Sequence, residues 1–200
     1  MKDPLDLVIT GVGGQGNVLI GGLIGGALVR EGYFVTIGET YGVSQRGGPV
    51  MSHVRVSRER EYGPIIPFGA CDAVLGLEPL EALRVLVEYG NPATGTVTNV
   101  RPIYPIGVLS GEAEYPAMDE MRSSIAQLSN KAWFIDASDI ALSLGAAVLT
   151  NMVMVGALVA VALLPLSREV FERQLKDSMS GDRLAVNLQA FGKGFEALKN

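Results

Sequence analysis

The chain is poor in the residues that hold metals, clusters and cross-links. Among 200 residues it has one cysteine, Cys71, and one histidine, His53. A [4Fe–4S] cluster needs several thiolates and a structural zinc site usually needs four Cys or His ligands, so this chain by itself can supply neither. Disulfide scaffolding is excluded in the same way, which fits a reducing compartment and makes a cytoplasmic protein the expectation. Charge is also scarce, at 18% of residues, and Lys plus Arg (16) are outnumbered by Asp plus Glu (21), for a formal net charge of −5. No basic stripe interleaved with aromatics offsets that balance, so a nucleic-acid backbone would be repelled. The opening residues, MKDPLDLVITG, lack a basic stretch followed by a long apolar one, and no secretory signal is expected.

Apolar residues are plentiful instead. Hydrophobic content is 48% and mean hydropathy is +0.30. Such a balance suits a buried parallel sheet, and equally a subunit that hides surface against a partner. Residues 140–166 carry no charge, enough in length to span a bilayer. Ser143, Thr150 and Asn151 interrupt that run, Gly145 and Gly156 dilute it, and neither flank has a Lys/Arg cluster or aromatic belt. The better account is a turn in which Asn151 caps a buried helix over 152–164, with Pro165 beyond its end.

Periodicity predicts strands over 5–9, 33–38, 50–57, 72–77, 94–99 and 131–135. Helices are predicted over 17–30, 80–89, 118–128, 139–144, 152–164, 167–177 and 181–198, with Gly32 placed to end the first. Ile65 and Ile66, between two prolines, make at most a short edge segment, and 102–111 is turn-rich. Four glycines inside the first helix, Gly21, Gly22, Gly25 and Gly26, cost about 1 kcal/mol each relative to alanine and predict close packing there. The second and third strands lie too close in sequence for a helical crossover, so the sheet is expected to be mixed. The fold class is therefore α/β: one three-layer α/β/α domain over residues 1–200, with a mostly parallel, mixed sheet and a helical C-terminal part.

Two glycine-bearing stretches carry the chemistry. Gly11, Gly13 and Gly16 match G-x-G-x-x-G between a predicted strand and helix, where a helix N-terminus can receive a phosphate. Glu39 ends the second strand, the place of the ribose-binding acid in a dinucleotide fold, so an autonomous NAD(P)-binding oxidoreductase is one reading. A glycine turn needed only for strand–helix packing is the plainer one. Ser44, Gln45, Arg46, Gly47 and Gly48 form a second stretch that could cradle an anion with backbone N–H groups and one guanidinium. The alternative there is a long turn with Arg46 paired to Glu39 or Glu78. His53, on a strand beside Arg55, is expected to be packed or hydrogen-bonded rather than catalytic. No Ser, Cys or Lys has an evident base partner, so nucleophilic catalysis within this chain is not expected.

Together, GVGGQGNVL (11–19) and ETYGVSQRGGPVMSHVR (39–55) strongly resemble the gamma-type subunits of 2-oxoacid:ferredoxin oxidoreductases. The SQRGG and SHVR forms favour the indolepyruvate branch of that family and its beta subunit. LEPLEALR (77–84), TNVRPI (98–103), NMVMVGAL (151–158) and AFGKG (190–194) extend the resemblance over nearly the whole chain. The resemblance implies an α/β/α domain active only in a complex whose alpha-type partner carries thiamine diphosphate and [4Fe–4S] clusters. It implies oxidative decarboxylation of an arylpyruvate to the aryl-acetyl-CoA, with ferredoxin as electron acceptor. By analogy, Gly13, Gly14, Gln15, Gly16, Ser44, Gln45, Arg46, Gly47 and Gly48 are candidates for contact with coenzyme A or with the partner; no catalytic residue and no metal ligand is implied. A third reading is a scaffold that only completes the partner's fold. Gly21–Gly22 stand where relatives more often carry a small and a basic residue, which argues against a phosphate contact from the first helix. Val43 replaces a common Met, and 106–115 match nothing in the family pattern.

Overall fold

The computed structural model describes residues 2–41, 48–104 and 106–199. Strand β1 (Leu5–Val12) is buried along its whole length, as a central strand of the sheet is, with Asp6 and Thr10 buried among its apolar residues. Its side chains alternate between two cores: Leu5, Leu7 and Ile9 face one, Val8 the other. Helix α1 (Asn17–Arg30) follows, then β2 (Phe34–Tyr41) and β3 (Pro49–Ser57). Next come β4 (Ala73–Gly76), α2 (Pro79–Tyr89), β5 (Gly95–Asn99), the short α3 (Ile106–Leu109), α4 (Met118–Leu128) and β6 (Lys131–Ile135). The C-terminal part is helical: α5 (Ala137–Ser143), a 3-10 turn (Ala147–Leu149), α6 (Thr150–Ala160), α7 (Arg168–Ser178) and α8 (Gly181–Leu198).

The sheet runs in the order β2-β3-β1-β4-β5-β6. β3 is antiparallel to both its neighbours, β1 and β2, while β1, β4, β5 and β6 are parallel in succession. The expected mixed sheet is therefore present, and its antiparallel part comes from the short connection between β2 and β3. One face is covered by α1 and the C-terminal helices, with Phe171 and Phe191 stacked at 4.9 Å in that core. The other face is covered by α2, through Ala82, Val85 and Leu86, and by Ile125 of α4. These layers are the α/β/α arrangement read from the strand–helix alternation.

Several local expectations hold. α1 has the predicted limits, and Gly32 takes the left-handed conformation after it. Ser167 caps α7 by accepting from the Val170 amide at 3.3 Å. Within α1 the close packing is partial. A Cβ on Gly25 would meet Ile37 Cδ1 at 2.9 Å and one on Gly26 would meet Gln174 at 2.7 Å, whereas Gly22 faces open space.

Other expectations need correcting. The uncharged run forms α6, which ends at Ala160, and its first turn continues directly from the 3-10 turn. Asn151 is already helical and caps nothing with its side chain; its Nδ2 donates instead to the Gln15 carbonyl at 3.1 Å. The long-range acceptor outcompetes a local cap. Residues 65–66, expected to make at most a short edge segment, stay within that bound and form no strand: Ile66 is buried against α2, and its amide donates to His53 Nδ1 at 3.4 Å. β2 continues to Tyr41, beyond the expected end at 38, because β3 offers it ladder partners up to Val50. Among the described residues, no helix is long and apolar enough to cross a membrane.

Candidate functional site

A sheet whose order reverses beside β1 leaves a crevice between the carboxyl ends of β1 and β4. The chain leaves β1 toward β2 and β3 on one side and passes from β4 to β5 and β6 on the other. In open α/β sheets this switch point is where ligands bind, because the departing loops diverge and leave room. Here the crevice is a pocket of about 470 Å³. Its walls are Gly14 and Gln15 after β1, Leu77 after β4, Arg101 to Ile103 after β5, and Ser138 and Leu142 of α5. Val148, Thr150 and Asn151 close it from the start of α6.

Side-chain amides build the floor. Gln15 spans the crevice: its Oε1 accepts from the Val12 amide at 2.7 Å and its Nε2 donates to the Leu77 carbonyl at 3.0 Å. Asn99, at the end of β5, donates to the same carbonyl at 3.2 Å and to Ser138 Oγ at 3.0 Å, while accepting from the Ala137 amide at 3.1 Å. Asn17 donates to the carbonyls of Val50 at 3.3 Å and Ile9 at 3.5 Å, tying α1 to β3 and β1. These amides hold the strand ends in register without any formal charge.

The glycine turn is shaped by close approach. Gly16 sits before α1 with φ 88°, and a Cβ there would come within 2.4 Å of Asn151 Nδ2. Among the described residues, no side chain caps this helix start, and no acid lies in its first turn. The Gly13 amide donates to the Gly48 carbonyl at 2.9 Å, so the two glycine-bearing stretches meet. Register accounts for this: Val12 pairs with Pro49 and Tyr41 with Val50, bringing the end of β2 and the start of β3 to the same sheet edge as the glycine turn. A smaller pocket of about 280 Å³ lies there, between Gly13, Gly16, Val18 and Val50. Gly13, Gly14, Gln15, Gly16 and Gly48 thus come together; Ser44, Gln45, Arg46 and Gly47 lie outside the described residues.

The remaining acids and bases have settled roles. Glu39 Oε2 accepts from Ser52 Oγ at 2.6 Å. Because β3 intervenes between β1 and β2, Glu39 stands two strand spacings, about 10 Å, from β1 rather than beside the glycine turn. That displacement removes the geometry a dinucleotide ribose would need. Glu78 caps α2 by accepting from the Glu81 amide at 2.9 Å, and it also accepts from the Ile103 amide at 3.4 Å and the Tyr115 hydroxyl. Burial, then the bond to Glu78, pushes the Tyr115 phenol well above its ordinary pKa, so it stays a donor. Arg55 is paired with Asp6 at 2.8 Å, and both are largely buried. His53 is buried, lies edge-on to Tyr89 at 5.2 Å, and its Nε2 has no hydrogen-bond partner among the described residues. Burial first, then Arg55, holds its pKa below the ordinary histidine value.

Cys71 does not fit a cluster. Its thiol is fully buried, donates to the Ala73 carbonyl at 2.9 Å, and is pushed up to about 12 by burial. Among the described residues, the crevice wall contains no carboxylate that could hold a diphosphate-bound cation, and these residues do not fit thiamine diphosphate either. What the crevice offers is an apolar wall, neutral amides and the guanidinium of Arg101. The sequence assigns Arg101 and Asn99 no role, and Glu78 only that of an alternative ion-pair partner for Arg46. A lone cation just past the end of a buried strand was the signal that could have found Arg101.

The family model described as pyruvate ferredoxin/flavodoxin oxidoreductase matches residues 6–197. The chain belongs to this family. Subunit IorB of indolepyruvate oxidoreductase from Thermococcus kodakarensis is 40% identical, over 97% of this chain and 96% of that protein. The same subunit from Pyrococcus horikoshii is 38% identical over the same shares. Among solved structures, the 2-oxoglutarate:ferredoxin oxidoreductase from Magnetococcus marinus, with 2-oxoglutarate, coenzyme A and succinyl-CoA bound, superposes with a TM-score of 0.75 at 26% identity. That match covers 99% of this chain but 31% of the other, so the chain spans about a third of that protein's length. The resemblance first carried by the two glycine-bearing stretches thus holds across the chain, and the α/β fold is that of the family.

Proposed function

We propose that this chain is the gamma-type subunit of an arylpyruvate:ferredoxin oxidoreductase and contributes part of its coenzyme A site. The reaction joins a 2-oxoacid, coenzyme A and two oxidised ferredoxins to give the acyl-CoA, CO2, a proton and two reduced ferredoxins. Thiamine diphosphate and [4Fe–4S] clusters belong on an alpha-type partner, a reading supported by a chain whose one thiol is buried. The assembled enzyme would work in the cytoplasm, with residues 1–200 acting as one domain. The indolepyruvate oxidoreductase relatives support an arylpyruvate as substrate.

The observation that carries the reading is the meeting of the two glycine-bearing stretches, through Gly13 and Gly48, beside the smaller pocket, with Gly14 lining both that pocket and the switch-point crevice. Backbone N–H groups and glycines without Cβ atoms suit a ligand with phosphates on a long apolar arm. The test is reconstitution with the alpha-type partner. The isolated chain should not turn over indolepyruvate, and the complex should do so only with coenzyme A and ferredoxin. In the complex, Arg46→Ala should raise the KM for coenzyme A with assembly intact. An unchanged KM would remove Arg46 from the coenzyme A contact, and turnover by the isolated chain would overturn the reading altogether.

A further inference from the structure

We propose that Arg101 recognises a phosphoryl group of the ligand entering the switch-point crevice, and that Glu78 positions the wall on which Arg101 stands. This rests on the coenzyme A reading above and assigns it a second cationic contact, separate from Arg46.

Among the described residues, Arg101 is the one charged side chain lining the pocket of about 470 Å³. It is exposed, and among the described residues it has no hydrogen bond or ion pair, whereas Arg55 and Arg168 are held by carboxylates. An unpaired guanidinium at the mouth of an apolar pocket suits a ligand whose charged group stays at the rim while an apolar arm goes in. The planar fork matches phosphate oxygens bidentately.

The segment carrying Arg101 is fixed on both sides. Before it, the Val100 amide donates to the Ile135 carbonyl at 3.0 Å, and Asn99 is locked by Leu77, Ser138 and Ala137. After it, Glu78 accepts from the Ile103 amide and from Tyr115, whose ring meets Tyr104 at 5.1 Å. Glu78 is itself buried at the start of α2, so this carboxylate ties a loop to the rigid end of β4. A cation held at its base on both sides loses little freedom on binding.

The test uses the reconstituted complex, with coenzyme A and 3′-dephospho-coenzyme A as probes. Arg101→Gln should raise the KM for coenzyme A roughly 10- to 100-fold, the range expected for losing a charge-assisted hydrogen bond. Both kcat and the 2-oxoacid KM should be unchanged, and Arg101→Lys should recover part of the loss. If the wild-type preference for coenzyme A over its dephospho form disappears in Arg101→Gln, the contact is to the 3′-phosphate; an equal loss with both probes places it on the diphosphate. Tyr115→Phe should raise the coenzyme A KM by a smaller factor at constant kcat; a merely structural role would lower thermal stability and leave KM alone. Unchanged coenzyme A KM in both Arg101 variants, or a rise in the 2-oxoacid KM instead, overturns the assignment. Arg46→Ala run alongside separates the two claims: if it alone shifts the coenzyme A KM, only the Arg101 assignment fails, and if neither shifts it, the coenzyme A reading fails with it.

Discussion

Gln15 Nε2 donates to the Leu77 carbonyl at 3.0 Å, so one neutral side chain joins the end of β1 to the end of β4 across the crevice. Its Oε1 accepts from the Val12 amide at 2.7 Å, and a Cβ on Gly11 would collide with that oxygen at 2.4 Å. A residue first singled out as a ligand contact therefore also shapes the site. Gln15→Leu should lose about 1–3 kcal/mol, because it strands a partly buried amide. Gln15→Glu should be destabilised at neutral pH, where its second oxygen faces a carbonyl, and recover as the introduced carboxyl is protonated and can donate. Urea denaturation at pH 7 and pH 4.5 would measure both; equal deficits at the two pH values would refute the donor role.

α6 and α8 cross at two glycines. A Cβ on Gly194 would lie 1.8 Å from the Val153 carbonyl oxygen, and one on Gly156 would lie 2.0 Å from that of Phe191. Backbone cannot yield as a side-chain tip can. Gly194→Ala should therefore cost roughly 3 kcal/mol or more. Gly192, on the same helix, would meet only Arg168 Nη2 at 3.7 Å, and Gly192→Ala should be neutral or stabilising by about 0.5–1 kcal/mol through helix propensity. If the two variants unfold at the same denaturant concentration, the crossing is not as close as described.

That crossing also shows how much was legible beforehand. NMVMVGAL and AFGKG were visible as family-like strings, and the helices containing them were placed, but Gly156 and Gly194 meet only in three dimensions. The strand order was hidden for the same reason. Nothing local shows that β3 inserts between β1 and β2, and that insertion is what moves Glu39 away from the glycine turn. Asn151 carried a sound cap signature, yet an acceptor far away in sequence, Gln15, took its donor. The glycine turn, α1 and the mixed sheet were legible because periodicity, turn chemistry and connection length are properties of short windows. The pocket wall at Arg101 was not, because it depends on which strand ends lie side by side.

His53 gives the chain an acid-side sensitivity. Burial and Arg55 hold its pKa below the ordinary value of 6.5, so the folded state binds fewer protons there than the unfolded one. The associated stability is present above about pH 6.5 and is lost as pH falls from there toward the folded pKa, at up to about 1.4 kcal/mol per pH unit. Since His53 is the only histidine, His53→Gln should flatten the stability profile between pH 5.5 and 6.5. Asp6 and Glu81, whose pKa values burial raises, contribute slopes of opposite sign, and they cancel in the comparison of the two proteins. Parallel profiles for wild type and variant would sink this prediction.

Arg55, the last residue of the SHVR string, turns out to serve the core rather than the crevice. Its Nε donates to Asp6 Oδ1 at 2.8 Å, with the two side chains only 11% and 3% exposed. Burial raises the Asp6 pKa and Arg55 opposes it, so removing the guanidinium leaves a buried carboxylate without its main counter-charge. Arg55→Ala should therefore cost about 3–5 kcal/mol at pH 7. The sign of the pH dependence follows. With a raised folded pKa, Asp6 contributes stability that is fully present below its unfolded pKa, near 3.9, and lost as pH rises through the folded value. Arg55→Ala raises that folded pKa further, so its deficit against wild type should shrink steadily as pH is lowered toward 4. Replacing both members, as Asp6→Leu with Arg55→Met, should cost less than Arg55→Ala at pH 7, because no charge is left unpaired. Chemical denaturation of the three variants at pH 7 and pH 4.5 would decide it: a pH-independent deficit, or a double variant worse than the single one, would mean that Arg55 acts through packing alone.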